Sequence, residues 1–267
     1  MESDRMSQVL WTFMPLLDCW SLTEAAALDV LAKQGVTTRL VLINQASSDE
    51  TRSALDRFVF RINNTLRGLI GEPRSTSSPP RVLSWTFNPR LPLAAVWNRC
   101  LAFCDEIGAP HAWIVNNDVR LHPQMATTLL EQAGVRNAWF VSGVGIDTQP
   151  VPAPAVSSND FGGPDFSCFV YAVEGWRRYP FDEVYPVYCE DVDLHRRLML
   201  GGDGQRICGV NTPFWHAGSA TINRNEATAQ AFSRVYEQSV ARHVAKWGGK
   251  PNHEAFFSPF DQGVEGR

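Results

Sequence analysis

Three carboxylates, Glu190, Asp191 and Asp193, stand at the head of an apolar pattern made by Val192, Leu194, Leu198 and Leu200 and stopped by Gly201 and Gly202. That spacing predicts a helix with the acids in or just before its first turn, where the helix dipole favours negative charge. Capping is one sufficient reason for such acids; proton transfer and cation binding are others. A second polar group, Asn116, Asn117 and Asp118, ends the apolar run that begins at Ala112. Taken alone it is a helix-start signal. The third group is a single histidine, His216, after Asn211-Thr-Pro-Phe-Trp. Imidazole can ligate a metal, and a lone histidine can equally be structural.

The elements that must position these groups follow one another along the chain. Residues 8–13 predict a strand, 22–34 a helix ended by Gly35, and 38–43 a buried second strand. Strand, helix, strand with continuously apolar strands implies a parallel sheet, and ligands on such sheets bind beyond the carboxyl ends of the strands. Asn44-Gln45-Ala46-Ser47-Ser48-Asp49 lies at such an end, and it also suits an N-cap for a helix reaching about residue 67. Gly68, Gly71 and Pro73 end that helix, and the Ser- and Pro-rich stretch 71–80 reads as a mobile loop. Residues 81–86 predict a strand and 93–105 a helix with Trp97, Leu101 and Cys104 on one core face and Asn98 near its start. Further strands are expected at 139–144 and 207–210, an ordered lid at 147–160, and a long helix at 225–246 packed through Ala229, Phe232, Tyr236, Val240 and Val244.

The order Gly162-Gly163-Pro164-Asp165-Phe166-Ser167-Cys168-Phe169-Val170, then Phe181-Asp182, then the acid cluster, then Phe214-Trp215-His216-Ala217-Gly218-Ser219 resembles the second half of the inverting nucleotide-sugar glycosyltransferases of the family-2 type. The resemblance runs over about residues 9–221. It implies an α/β fold of the GT-A type: a Rossmann-like mixed but mostly parallel central sheet flanked by helices, as a single compact domain. Residues 1–124 would form the nucleotide-sugar donor-binding half and 125–267 the acceptor-binding and catalytic half. Asp191 would be the general base, with Glu190 orienting that site and Asp193 serving as a helix-start acid or as an acid that supports the site from behind. Asp118, placed like the Asp-x-Asp element of these enzymes, would hold a divalent cation, Mn²⁺ or Mg²⁺, with His216 completing its shell. Asn44, Ser47, Asp49, Asn98, Asn116 and Asn117 would line the donor nucleotide. Asn44 and Asn116 depart from the family, which places acids there; an amide still hydrogen-bonds but carries no charge. Phe166, Phe169, Trp176, Tyr179, Tyr185 and Tyr188 would supply an acceptor-side platform, about two of them touching ligand.

The reaction so implied moves a sugar from a nucleoside diphosphate sugar to the hydroxyl of a saccharide or other acceptor, with inversion. Two alternatives compete. The asparagines at 44 and 116 favour a non-catalytic nucleotide-sugar-binding protein. Eight arginines between residues 51 and 100, against Asp56 and Glu72 alone, keep open a hydroxylated base in DNA as the acceptor; a solvated arginine face or diphosphate contacts are the plainer account. With 44% hydrophobic and 19% charged residues in 267, overall disorder is excluded, and a net charge of -4 carries no global signature of nucleic-acid binding. Six cysteines without paired short spacing, and no secretory signal before them, imply reduced thiols and a cytoplasmic setting. Zinc held by Cys168, Cys189, Cys208, His195 or His216 is disfavoured by the same irregular spacing. No apolar run reaches the length of a bilayer span.

Overall fold

β1 (Leu10–Leu16) and β2 (Thr38–Asn44) are buried along almost their whole length, because helices cover both faces of the sheet and leave the strands no solvent side. Alternate residues therefore feed two separate cores: Leu40 and Leu42 point into one, Val41 and Ile43 into the other. Between the strands, α1 (Trp20–Leu31) buries Thr23, Ala26, Ala27 and Val30, a stripe at helical spacing. α2 (Asp49–Leu69), β3 (Val82–Thr86), α3 (Leu93–Glu106) and β4 (His111–Val115) continue the alternation. The computed structural model describes residues 9–32, 34–69, 80–153, 164–218 and 226–261, without the side chains of 65–69 and 227. Residues 71–79 of the expected loop, 154–160 of the expected lid, Arg74, Gly162, Gly163 and Ser219 lie outside that description, as does the side chain of Arg67.

After β4 come β5 (Val119–Arg120), α4 (Met125–Arg136), β6 (Phe140–Ile146), β7 (Cys168–Ala172), α5 (Val173–Arg178), α6 (Glu190–Leu200), β8 (Ile207–His216) and α7 (Glu226–Trp247). The eight strands form one sheet in the order β3-β2-β1-β4-β7-β6-β8-β5. Here the expected mostly parallel, Rossmann-like sheet is corrected. Four pairings are parallel and three antiparallel, and the sheet curls into a half-barrel. The physical reason is β7, which is inserted between β4 and β6 and runs against both. β5 then closes the far edge antiparallel to β8.

β8 is longer than the strand expected at 207–210. It continues through Pro213 to His216, because a register irregularity between Ser142 and Val144 lets its second half stay paired with β6. Gly143 sits at that irregularity; a Cβ there would come within 2.6 Å of the Thr212 carbonyl oxygen. The pairing of Val119 with His216 then brings the end of β8 beside Asp118.

Candidate active site

Beyond the ends of β1, β4 and β8 lies a cavity of about 540 Å³. Asn116, Asn117 and Asp118 enter it from the end of β4, His216 from β8, and Glu190 and Asp191 from α6. Asp165, Gln45, Trp97, Phe166, Tyr188 and Arg90 share the wall. Of the six aromatics proposed as a platform, Phe166 and Tyr188 line this cavity, while Phe169 and Tyr185 are fully buried.

A tight turn delivers the acids. Tyr188 and Cys189 both take left-handed backbone angles, φ 64 and 68, although neither is glycine. Such residues cost about 1–3 kcal/mol each and persist where surrounding contacts fix them. Here the Ser239 hydroxyl donates to the Val187 carbonyl just before the turn, and the Asp193 N–H donates to the Cys189 carbonyl at 2.9 Å, opening α6. Glu190 is 4% exposed, and its Oε2 has no hydrogen-bond partner. Burial, reinforced by the adjacent Asp191 charge, pushes its carboxyl up to about 8. Burial also raises Asp191, partly offset by the Val192 N–H, which donates to Asp191 Oδ1 at 2.8 Å. Glu190 thus holds its proton at neutral pH, while at Asp191 the Val192 N–H works against burial in favour of the charged form.

Asp118 is 6% exposed, and its Oδ1 lies 3.2 Å from His216 Nε2. His216 Nδ1 lies 3.5 Å from the Ser167 hydroxyl. The hydrogen bond to Asp118 raises the His216 pKa against the opposing effect of burial, with the Asp118 and Asp165 charges adding to the rise. Asp165 is itself fixed: Oδ1 accepts from the Ser167 N–H at 2.8 Å and Oδ2 from the Gly145 N–H at 3.2 Å. Asn117 donates to the Thr23 hydroxyl at 2.9 Å, anchoring the polar strand end on α1.

The other expected donor contacts lie elsewhere. Asn44 is fully buried, and its Oδ1 accepts from the Ser47 N–H at 2.9 Å, shaping the loop. Ser47 Oγ accepts from the Asp18 N–H at 2.9 Å, and Asp49 pairs with Arg52 on the surface at 3.2 Å. Asn98 Oδ1 accepts from Trp176 Nε1 and the Phe181 N–H, and its Nδ2 donates to the Phe181 carbonyl and Glu183. None of these four lines the cavity. Gln45, beside Asn44, does: its Oε1 accepts from the Leu91 N–H at 3.1 Å and its Nε2 is without a partner. Sequence reasoning assigns no individual role to Gln45 or Asp165, and it carries Arg90 only as one of the arginine stretch; the signal for Asp165 was an acid inside the Gly-Pro-Asp-Phe-Ser stretch.

Among the described residues no group of three or more His, Cys, Asp or Glu side chains is disposed to hold a metal ion, which removes the zinc grouping from consideration there. Asp118 and His216 place one hard carboxylate beside one imidazole. That donor set suits a cation that takes its remaining ligands from phosphate and water, as Mg²⁺ and Mn²⁺ do. A ligating Nε2 would leave Nδ1–H to face Ser167 Oγ, the outer hydrogen bond that orients such histidines.

No protein-family model and no curated protein matches the chain. Among solved structures, the S. aureus TarS 1–349 complex with UDP-GlcNAc is 13% identical with a TM-score of 0.55, covering 88% of this chain and 65% of that one. The mannosyltransferase PcManGT from Pyrobaculum calidifontis, in complex with GDP-Man and Mn²⁺, is 15% identical with a TM-score of 0.58, covering 89% of this chain and 64% of that one. A longer TarS structure matches at 11% identity and a TM-score of 0.53, and this chain spans 39% of its length. At such identities the likeness is one of fold.

Proposed function

We propose that this chain is a nucleotide-sugar glycosyltransferase that inverts the anomeric centre, with Asp191 as general base and the Asp118–His216 pair holding a divalent cation, Mn²⁺ or Mg²⁺. The observation that carries this reading is the convergence on one cavity of the Asp118–His216 pair and the Glu190–Asp191 pair, from different elements. A fold shared with structures that hold UDP-GlcNAc or GDP-Man supports it.

In this reading the acceptor hydroxyl oxygen forms a bond to the anomeric carbon as the bond to the diphosphate oxygen breaks, and the hydroxyl proton passes to Asp191. Glu190, neutral at working pH, offers a proton for a hydrogen bond beside Asp191. A bound cation would offset negative charge on the departing diphosphate. Asp118 and His216 hold that end of the donor, while Asn116 and the free Gln45 amide provide hydrogen bonds for its nucleoside. Phe166, Trp97 and Tyr188 keep water from the reacting carbon. Residues 1–124 supply the donor-side groups and 125–267 the base, the division expected for the two halves. The cytoplasmic setting belongs to the same proposal; among the described residues no helix is long and apolar enough to cross a membrane.

The arginine stretch does not favour DNA as acceptor. Arg52 and Arg61 pair with Asp49 and Glu24, Arg81 donates to the Leu31 carbonyl, and of the arginines whose side chains are described only Arg90 lines the cavity. A binding and hydrolysis screen across UDP-, GDP- and dTDP-sugars, with Mn²⁺, Mg²⁺ or EDTA, tests the function. One donor class should bind and hydrolyse slowly with metal. Binding of none would overturn the reading, and tight binding without turnover on any hydroxyl acceptor would turn it into the binding-protein alternative.

A further inference from the structure

The cavity has an annex that the transfer chemistry does not use. A second space of about 300 Å³ adjoins it, lined by Pro92, Pro186, Ala231 and Val235, and the two spaces share Arg90, Leu91, Val187 and Phe232. The walls are apolar but for one group. Arg90 stands at the junction with its guanidinium carbon 4.9 Å from the centre of the Phe232 ring. Among the described residues it has no carboxylate partner, whereas Arg52, Arg61, Arg120, Arg177, Arg178, Arg196 and Arg197 each have one. Burial lowers its pKa, so the charge is partly stripped of water without an anion to replace it. From the Gln45 side, where the Leu91 N–H donates to Gln45 Oε1, the junction reaches across to α6. Pro186 and Val187 run directly into the Tyr188–Cys189 turn that opens α6 at Glu190 and Asp191.

We infer that Arg90 and the apolar annex form an acceptor subsite, which selects an acceptor carrying an anionic group, phosphate or carboxylate, on an apolar chain. The inference rests on the transferase reading for the word acceptor, but not for the binding itself. With the acceptor hydroxyl at Asp191, the anionic group meets Arg90 and the apolar portion lies between Leu91, Pro186 and Val235. A planar guanidinium stacked on an aromatic ring presents its edge N–H groups to an oxyanion. The apolar walls add affinity in proportion to the surface they remove from water. A neutral saccharide would leave the partly dehydrated charge unmatched.

The test is calorimetric binding of hexyl phosphate, hexanoate, hexyl β-glucoside and inorganic phosphate, all below micellar concentrations, to the wild type, Arg90→Gln, Arg90→Lys and Val235→Asp. Hexyl phosphate or hexanoate should bind at least about tenfold more tightly than both the glucoside and inorganic phosphate, since a charge-assisted hydrogen bond and a buried chain each contribute that much. Which of the two binds more tightly assigns the anion as phosphate or carboxylate. Arg90→Gln should lose that preference, Arg90→Lys should keep part of it, and Val235→Asp should weaken the alkyl anions without changing inorganic phosphate. Glucoside binding as tight as the anions, or anion binding indifferent to Arg90→Gln at an unchanged melting temperature, would overturn the subsite. Nucleotide-sugar binding measured on the same samples separates the two ideas. Loss of donor binding with intact alkyl-anion binding sinks the transferase and spares the subsite, and the reverse result does the opposite.

Discussion

At Glu190 and Asp191, two adjacent carboxylates meet different surroundings, and the difference can be tested without knowing the substrate. Glu190's carboxyl is raised to about 8 by burial and the neighbouring charge. The folded protein therefore binds that proton more tightly than the unfolded chain. Its contribution to stability is fully present below the ordinary carboxylate range and is lost as pH rises toward 8. Glu190→Gln removes the titration. The stability of the variant relative to wild type should rise by about 2 kcal/mol or more between pH 5 and 8.5, read by urea unfolding at each pH. A difference that stays flat with pH would mean that Glu190 is ionised in the folded state. Asp191→Asn keeps shape and hydrogen bonding but cannot take a proton, so turnover should fall about a hundredfold or more with donor affinity and melting temperature near the parent. A near-parent rate with chemistry limiting would remove Asp191 from the mechanism. At this scale the sequence marks where a polar residue closes an apolar strand, and the structure puts two such residues, Asp118 and His216, side by side. The sequence assigns Asn44 and Asn98 to the donor only through the resemblance, and their bonds to backbone were not legible, because whether an amide faces ligand or backbone depends on neighbours far along the chain.

One element, α6, carries both acids, and what holds α6 was not legible. Asp193 reads in the sequence as a helix-start acid or an acid supporting the site from behind, with no partner identified; in the structure it is fully buried. Its Oδ1 accepts from Trp247 Nε1 at 2.8 Å and from Lys246 Nζ at 2.7 Å, and its Oδ2 from Arg197 Nε at 2.7 Å. Burial would raise its pKa, but Arg197 and Lys246 outweigh it and hold the carboxyl below its usual range. α7 is accordingly buried through Ser239, His243, Lys246 and Trp247, whereas the apolar face expected to pack leaves Tyr236 and Val244 48% and 39% exposed. Hydrophobic periodicity misleads here, because the surface opposite α7 is a charge network. Breaking a buried pair from one side costs about 3 kcal/mol or more. Lys246→Met should cost about that much, and the Lys246→Met/Asp193→Asn double variant should cost less than the sum of its parts by about 1–3 kcal/mol. Additive losses in urea unfolding would show that the two side chains do not cooperate. Because the network fixes the pose of α6, Lys246→Met should also lower kcat while leaving the Kd for donor unchanged.

For the molecule as a whole, the alternation of β1, α1, β2, α2 and β3 was legible from continuous apolar strands, and those strands pair in parallel as that pattern implies. The antiparallel β7 was not. Cys168–Ala172 is buried on both faces like its neighbours, so its composition carries no mark of direction. That strand separates the parallel set around β1 from the β6–β8 pair, yet the Asp118–His216 pair draws one residue from beside each set. A ligand bound to both residues therefore links the two parts of the sheet and stabilises the fold as a unit. At a hundred times its Kd, a donor with Mn²⁺ should add about 2.7 kcal/mol, raising the melting temperature of a chain this size by about 5 °C or more. EDTA should abolish most of that shift, and Asp118→Ala should abolish it with metal present, because the diphosphate then lacks its hard anionic anchor. His216→Ala should reduce the shift by less, since a water can replace a neutral ligand more cheaply than a charged one. A donor-induced shift that survives both EDTA and Asp118→Ala would place the diphosphate on other groups, and the cation would then have no part in holding the two halves of the sheet together.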